Sequence, residues 1–319
     1  MDSSINFAKQ VKLEIASKEY SLDEKKALLS AFIRLNGTIG LLNNPSIVLK
    51  SELGPIIKLL RQSIKDIYDL DTNLSFEKKI RFGKGIIYTL KLQDKKVYEI
   101  LEDLEVLDNN LERMEIKKFL NPNLFPSFIS GLFLSSGSIN NPSSTKTSYF
   151  LEIAFSSFED ADIVKSQFDK LKEENTISFK YIARRDKHIL YLKKSDQISV
   201  FLSFIGATSS MFDFENVRIM KDDLNVYNRL SICDMANFSR TIGAASKDIE
   251  IINKLLEVKP LDQFDKKTQA VIQTRIKYNE ASFRELVSII FKEYNIVISK
   301  SGIAYSLSLI RNEYKKLIG

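Results

Sequence analysis

The sequence predicts an α+β protein built from two similar halves of mixed helix and strand, followed by an all-helical tail. Three observations predict it. A stretch of the first half recurs about one hundred residues later. The apolar–polar alternation of strands appears in both copies and in the same order. Beyond about Ser209 strand signals fade and helical periodicity takes over.

Residues 27–39 (ALLSAFIRLNGTI) match residues 127–139 (SFISGLFLSSGSI): an apolar helix, then Gly37 or Gly137, then Thr or Ser, then Ile. Close helix packing or a left-handed helix end would each call for those glycines. Strands follow at 46–51 (SIVLKS) and 150–157 (FLEIAFSS), each leading into an amphipathic segment of helix length, 53–68 and 158–173. Residues 74–80 then pair with 177–183, and 86–92 with 188–194. Gly83-Lys84-Gly85 and Arg185-Asp186-Lys187 occupy the hairpin turns between them. Closing helices fall near 95–107 and 196–205. Each half is therefore αββαββα, and two such halves about a pseudo-twofold axis bury what one alone leaves open. The boundaries that follow are half one at 1–107, a connector at 108–123, half two at 124–209, a helical linker at 210–245 and a helical domain at 246–319.

Within the last 110 residues the spacing predicts helices over 213–227, 230–241 and 246–256, the third with Ile249, Ile252, Leu255 and Leu256 on one face. Pro260 ends it. A further helix covers 267–278. Ser282 and Glu285 form a capping-box pattern that opens a helix burying Phe283, Leu286, Val287 and Ile290. After a connector over 292–298, Ser299 caps a final helix with the stripe Ile303, Leu307, Ile310, Tyr314 and Leu317. Its opposite face presents Lys300, Ser301, Ala304, Tyr305, Ser308, Arg311 and Lys315. Small residues admit a close backbone, and the others donate to phosphates and base edges. This suits a helix-turn-helix over about 282–315; a plain bundle with a solvated basic face accounts for the same features equally well. Ser301, Tyr305 and Ser308 are placed for base edges, and Lys300, Arg311 and Lys315 for the DNA backbone. Arg229 and Arg240 are further candidate contacts, with Asn228 and Asn237; capping or interdomain roles serve all four equally.

Composition narrows the classes. The chain has 319 residues, 44% hydrophobic and 28% charged, with 21 Phe and 12 Tyr to build a core. One cysteine, Cys233, excludes a disulfide framework and a cysteine-based zinc cluster, and suits a small apolar packer. One histidine, His188, beginning a strand, makes a histidine-dependent hydrolase hard to build. The uncharged stretch 119–145 is broken by Asn, Ser and Pro, so no membrane helix is expected, and the Met1-Asp2-Ser3-Ser4 start lacks a signal-peptide pattern. A cytoplasmic protein is expected. Of the net charge of +6, the last sixty residues hold +4, an asymmetry common in nucleic-acid-binding modules.

The helices ending at Gly37 and Gly137 resemble the paired LAGLIDADG helices of homing endonucleases. With the segments 204–207 (FIGA), 214–222 (FENVRIMKD), 228–230 (NRL), 233–237 (CDMAN) and 299–303 (SKSGI), the whole chain resembles the WhiA family of bacterial transcription regulators. The resemblance implies LAGLIDADG-like halves with a C-terminal helix-turn-helix, and a sequence-specific DNA-binding regulator tied to cell division, chromosome segregation or sporulation. Its expected partners are double-stranded DNA and other transcription components, and its place is at the nucleoid. The homing enzymes carry a metal-binding carboxylate just before each glycine; here Asn36 and Ser136 stand there, and neither supplies the charge that a divalent cation asks of oxygen ligands. No acidic residue lies between Glu115 and Glu152 to substitute. Neither enzyme activity nor metal, cofactor or small-molecule substrate is expected. The rivals are a metal-dependent DNA endonuclease and a protein-interaction scaffold.

Overall fold

Ahead of the repeat stands α1 (Phe7–Ala16), a helix the pattern above leaves out; Phe7, Val11 and Ile15, four apart, form its buried stripe, and Asn6 caps it. The computed structural model describes residues 6–42, 44–78, 85–144, 148–171 and 176–318. They divide into two units at Lys221/Asp222.

The first unit contains the αββαββα order twice. Half one is α2 (Leu22–Asn36), β1 (Thr38–Gly40), β2 (Ser46–Ser51), α3 (Gly54–Tyr68), β3 (Asn73–Lys78), β4 (Ile86–Gln93) and α4 (Val97–Asp103). Half two is α5 (Phe125–Ser136), β5 (Gly137–Ile139), β6 (Leu151–Phe155), α6 (Phe158–Lys170), β7 (Lys180–Arg184), β8 (Lys187–Leu192) and α7 (Ser195–Phe204). Both sheets are antiparallel with the same order, β1-β2-β4-β3 and β5-β6-β8-β7. Alternation sets the faces: Ile47 and Leu49 lie opposite Leu92 and Leu90 on the core side, while Lys50 and Gln93 stay exposed. The β7–β8 turn puts Arg185 in the left-handed region, at φ 54°. In the matching turn of half one, Gly83 and Lys84 lie outside the described residues.

The halves meet helix to helix, α2 against α5, through small residues. A Cβ on Gly131 would overlap the Leu28 carbonyl oxygen and sit 2.8 Å from the Ala31 Cβ. Gly37 and Gly137 differ from expectation. Both are extended, at φ −71° and −68°, so neither makes a left-handed helix end. Their missing Cβ spares their own helices instead, at Ile33 and Phe133. The pseudo-symmetry extends to hydrogen bonds. Ser30 donates its hydroxyl to the Leu104 carbonyl at 2.6 Å, and Ser130 to the Ile205 carbonyl at 3.1 Å, each at the end of its own half's closing helix.

One interaction breaks the symmetry. Arg34, its side chain 0% exposed, donates to Asp160 at 2.9 Å and to the carbonyls of Glu105 and Met114; Arg113 of the connector also pairs with Asp160. Half one, connector and half two are thereby tied at a single buried carboxylate.

Helix α8 (Thr208–Leu256) is continuous over 49 residues, where three separate stretches were expected. No proline interrupts it, and a lone Gly243 costs a helix only about 1 kcal/mol. Glu14 of α1 caps its start, accepting from the amides of Ser209 at 2.6 Å and Ser210 at 2.8 Å. Residues 222–240 are exposed, among them Cys233, which is not the buried packer expected.

In the second unit, the end of α8 packs with α9 (Lys266–Lys277), α10 (Phe283–Tyr294) and α11 (Lys300–Ile318) around Ile252, Leu255, Val271, Leu286, Ile290, Ile303, Leu307 and Ile310. Leu317, expected in the α11 stripe, is 51% exposed, whereas Ser306 is buried beside Thr268, hydroxyl to hydroxyl at 3.4 Å. Among the described residues no helix is long and apolar enough to cross a membrane.

Candidate nucleic-acid interface

The geometry of the tail begins with its caps. Asp265 caps α9, accepting from the amides of Lys267 and Thr268 at 3.0 and 3.1 Å; the Thr268 hydroxyl, with those amides, holds its carboxyl below the usual range. Ser282 and Glu285 form the full capping box of α10, and the Ser282 amide keeps the Glu285 carboxyl low. Helix α10 runs on to Tyr294 and ends at Asn295, left-handed at φ 55°. That leaves a connector over 295–299, five residues where seven were expected, and nearer to the tight turn of a helix-turn-helix. The Ser299 hydroxyl accepts from the Gly302 amide at 3.1 Å, as its expected cap role requires, and lies 2.8 Å from the Ser301 hydroxyl.

Burial of Ile303, Leu307 and Ile310 orients α11. Lys300, Ser301, Ala304, Tyr305, Ser308 and Lys315 are all exposed, Tyr305 at 66%. Arg311 is different. Its Nε and Nη2 both donate to Asp248 of α8, at 2.9 and 2.6 Å, and Asp248 is buried. The pair holds α11 on α8, since a buried carboxylate needs a paired cation, while the Arg311 side chain remains 44% exposed. Nearby, Arg275 is buried beneath the Phe283 ring, 5.3 Å from its centroid, and donates to the Ala281 carbonyl at 2.7 Å; burial lowers its pKa and Asp248 opposes that shift.

Two neighbours of the exposed face were missed by the sequence reading. Lys267 and Val297 share with Tyr305 and Gly302 the wall of a cavity of about 550 Å³, and Val297 is 76% exposed. A signal for Lys267 existed. Consecutive lysines in the first turn of a helix oppose its dipole, and such local conflicts mark functional positions. Arg240 lines a second cavity with Lys247, Asp248 and Arg311, whereas Arg229 is exposed on α8 away from it. Asn228 and Asn237 are likewise exposed in mid-helix, so none of these four caps a helix end.

At the helix ends of the first unit, Asn36 Oδ1 accepts from the Lys50 amide at 3.2 Å, and the Ser136 hydroxyl folds back toward the Leu132 carbonyl at 3.5 Å. Among the described residues no three His, Cys, Asp or Glu side chains cluster as a metal would need. His188 lies on β8, 2.7 Å from the Tyr181 hydroxyl.

Three family models match in succession: the WhiA N-terminal LAGLIDADG-like domain over residues 22–107, the WhiA LAGLIDADG-like domain over 125–223, and the WhiA C-terminal HTH domain over 227–313. The probable cell division protein WhiA of Enterococcus faecalis is 34% identical over 316 residues, 98% of each chain. The chain belongs to the WhiA family. The crystal structure of a full-length WhiA from Thermotoga maritima superposes with a TM-score of 0.60 at 25% identity, covering 98% of this chain and 99% of that one. The N-terminal LAGLIDADG domain of a WhiA protein gives 0.50 at 26% identity, covering 65% and 94%. The paired αββαββα halves are thus the LAGLIDADG-like domain of WhiA, and α9, α10 and most of α11 lie within the stretch that matches its helix-turn-helix domain.

Proposed function

We propose that this WhiA-family chain is a sequence-specific transcription regulator that binds double-stranded DNA through α11 and does not cleave it. The observation that carries this reading is the open face of α11: Lys300, Ser301, Ala304, Tyr305, Ser308 and Lys315 are exposed on a helix whose other side is locked in the core. Ser301, Tyr305 and Ser308 read base edges; Lys300 and Lys315, joined by Lys267 of α9, grip phosphates. Arg229 and Arg240 add backbone contacts, and Arg311 serves as the brace of the reading helix. The names of the relatives link the role to cell division, and chromosome segregation or sporulation are its expected settings. A DNA regulator works in the cytoplasm, at the nucleoid, beside other transcription components.

Footprinting of the intact protein on genomic fragments tests the reading. Lys300→Ala should weaken binding evenly across sequences and lower the salt slope by about 1. Tyr305→Ala should erode preference for the protected site with little change in slope. Footprints identical to the parent in both variants would move the DNA surface away from α11. For the non-cleaving part, the neutral Asn36 and Ser136 are the support, and plasmid nicked in Mg²⁺ or Mn²⁺ but intact with chelator would overturn it.

A further inference from the structure

Between α1 and the end of α2, the first unit holds a cavity of about 580 Å³ that the DNA reading does not use. Three lysines from two different elements line it: Lys9 and Lys12 from α1, and Lys50 from the end of β2. Glu52 is the one acidic group in the lining, so two positive charges are in excess. Asn36 of α2 and Ser135 of α5 add neutral polar groups, and the Ser135 hydroxyl is buried with no hydrogen-bond partner. Asn6 and Ser51 add further polar groups, and Leu53, Ile56, Ile87 and Leu134 form an apolar part of the wall. Size, apolar lining and a few convergent polar groups are the usual attributes of a small-molecule site.

We infer that this cavity binds a small phosphate monoester, its dianionic phosphoryl group held by Lys9, Lys12 and Lys50 and its apolar body lying on Leu53, Ile56 and Ile87. The charge count selects the class, because two uncompensated positive charges match a dianion and over-compensate a carboxylate. Lys12 is the key. Its ammonium sits 5.9 Å from the centre of the Phe133 ring, and burial draws its pKa down to about 8, with Glu52 pulling the other way. A cation held in such surroundings gains from an arriving anion more than a solvated one does. The site belongs to this end of the body alone. Ahead of α5 the connector has only a short 3-10 turn, Lys118–Leu120, where half one has α1. The same α1 carries Glu14, the cap of α8, so a ligand gripped by Lys9 and Lys12 lies on the helix that anchors α8.

Calorimetric titration of the intact protein with phenyl phosphate, inorganic phosphate and phenol, at matched ionic strength, tests this. Phenyl phosphate should bind once per chain, inorganic phosphate more weakly, and phenol not at all. At pH 8 binding should take up protons, seen as a buffer-dependent heat, as the anion restores the charge on Lys12. Lys12→Met should lose that uptake and at least roughly tenfold in affinity, the scale of one charge-assisted contact. Lys12→Met should also footprint on DNA like the parent, since α11 is untouched. Absence of heat with both phosphates at millimolar concentration overturns the inference, as does proton uptake that survives in the variant. Displacement of phenyl phosphate by a DNA duplex, with a weakened Lys12→Met footprint, would assign the phosphoryl site to the DNA backbone and equally overturn a small-molecule ligand. The calorimetric outcomes do not depend on whether α11 reads sequence, so the two proposals fail separately.

Discussion

The two halves of the body share a plan and differ in what fills it. Half one packs its sheet mainly with aliphatic side chains, Ile47, Leu49, Ile56, Ile57, Leu60, Leu90 and Leu92. Half two uses phenylalanine: Phe168 alone lies within 5.0–5.4 Å, ring centre to ring centre, of Phe125, Phe179 and Phe204. What is repeated is therefore patterning and volume, which cores require, rather than residue identity, which they tolerate changing. The polar exceptions diverge further. Arg34 of half one occupies the position that Leu134 holds in half two, and Asp160, third residue of α6, stands where α3 has Ile56. The pair exists because the halves are unequal, and it locks them in one arrangement.

The largest expected effect comes from erasing that inequality. Arg34→Leu, which copies half two into half one, strands Asp160 in the interior with Arg113 as its remaining cation. Loss of one partner of a buried pair costs about 3–5 kcal/mol. Adding Asp160→Ile, which copies half one into half two, should restore most of the loss, since apolar replacement of both partners is often neutral. Urea denaturation of the parent, both single variants and the double variant gives the coupling. Additive losses would mean that the two side chains do not stabilise each other.

Next comes the seam. Gly131→Leu forces a side chain into the Leu28 backbone, and overpacking of this kind costs about 1–3 kcal/mol. Gly243→Ala is the contrast: an added Cβ on α8 meets nothing within 4 Å, and the helix should gain up to about 1 kcal/mol. An unchanged midpoint in Gly131→Leu would show that α2 and α5 do not meet there.

These contrasts explain which features were legible in the sequence. The αββαββα order was, because alternation and helical spacing are local and the repeat displayed them twice. The caps at Ser282, Glu285 and Ser299 were, because a cap is settled within three residues. The closeness at Gly131 followed from a small residue in an apolar helix. Arg34–Asp160 and Arg311–Asp248 were not legible: their partners lie 126 and 63 residues apart, and no local pattern names a distant partner. A lone arginine inside the apolar run of α2 was the one available hint. The unbroken α8 was missed because polar residues at 228 and 229 resemble a linker, although nothing in them stops a helix. The cavity at α1 was hidden for the same reason as the ion pairs, since its lysines come from segments that only folding brings together.

A smaller effect sharpens the symmetric part. Ser30→Ala and Ser130→Ala each remove a hydroxyl that satisfies the carbonyl ending a closing helix, at a cost of about 0.5–1.5 kcal/mol. Equal losses would show that the halves share an energetic role as well as a shape. Loss confined to Ser30→Ala would show that Ser130, which also donates to the Pro126 carbonyl at 2.9 Å, does its work within α5.

The last effect is confined to alkaline pH and belongs to half one alone. The folded-state pKa of Lys12, about 8, lies below its ordinary value of 10.5. Below pH 8 both folded and unfolded chains hold the proton, and the penalty of keeping that ammonium out of water is fully present. Between pH 8 and 10.5 the unfolded chain still binds the proton while the folded chain has released it. Stability from this group therefore rises with pH across that window and is level above it. Lys12→Met has neither the penalty nor its relief. The variant should be more stable than the parent at pH 7, and the difference should shrink steadily from pH 8 to 10.5. Urea midpoints of the two proteins, measured side by side at each pH, cancel the titration of every other group. Parallel curves would mean that Lys12 is solvated in the folded chain, and the cavity at the end of α2 would lose its buried cation.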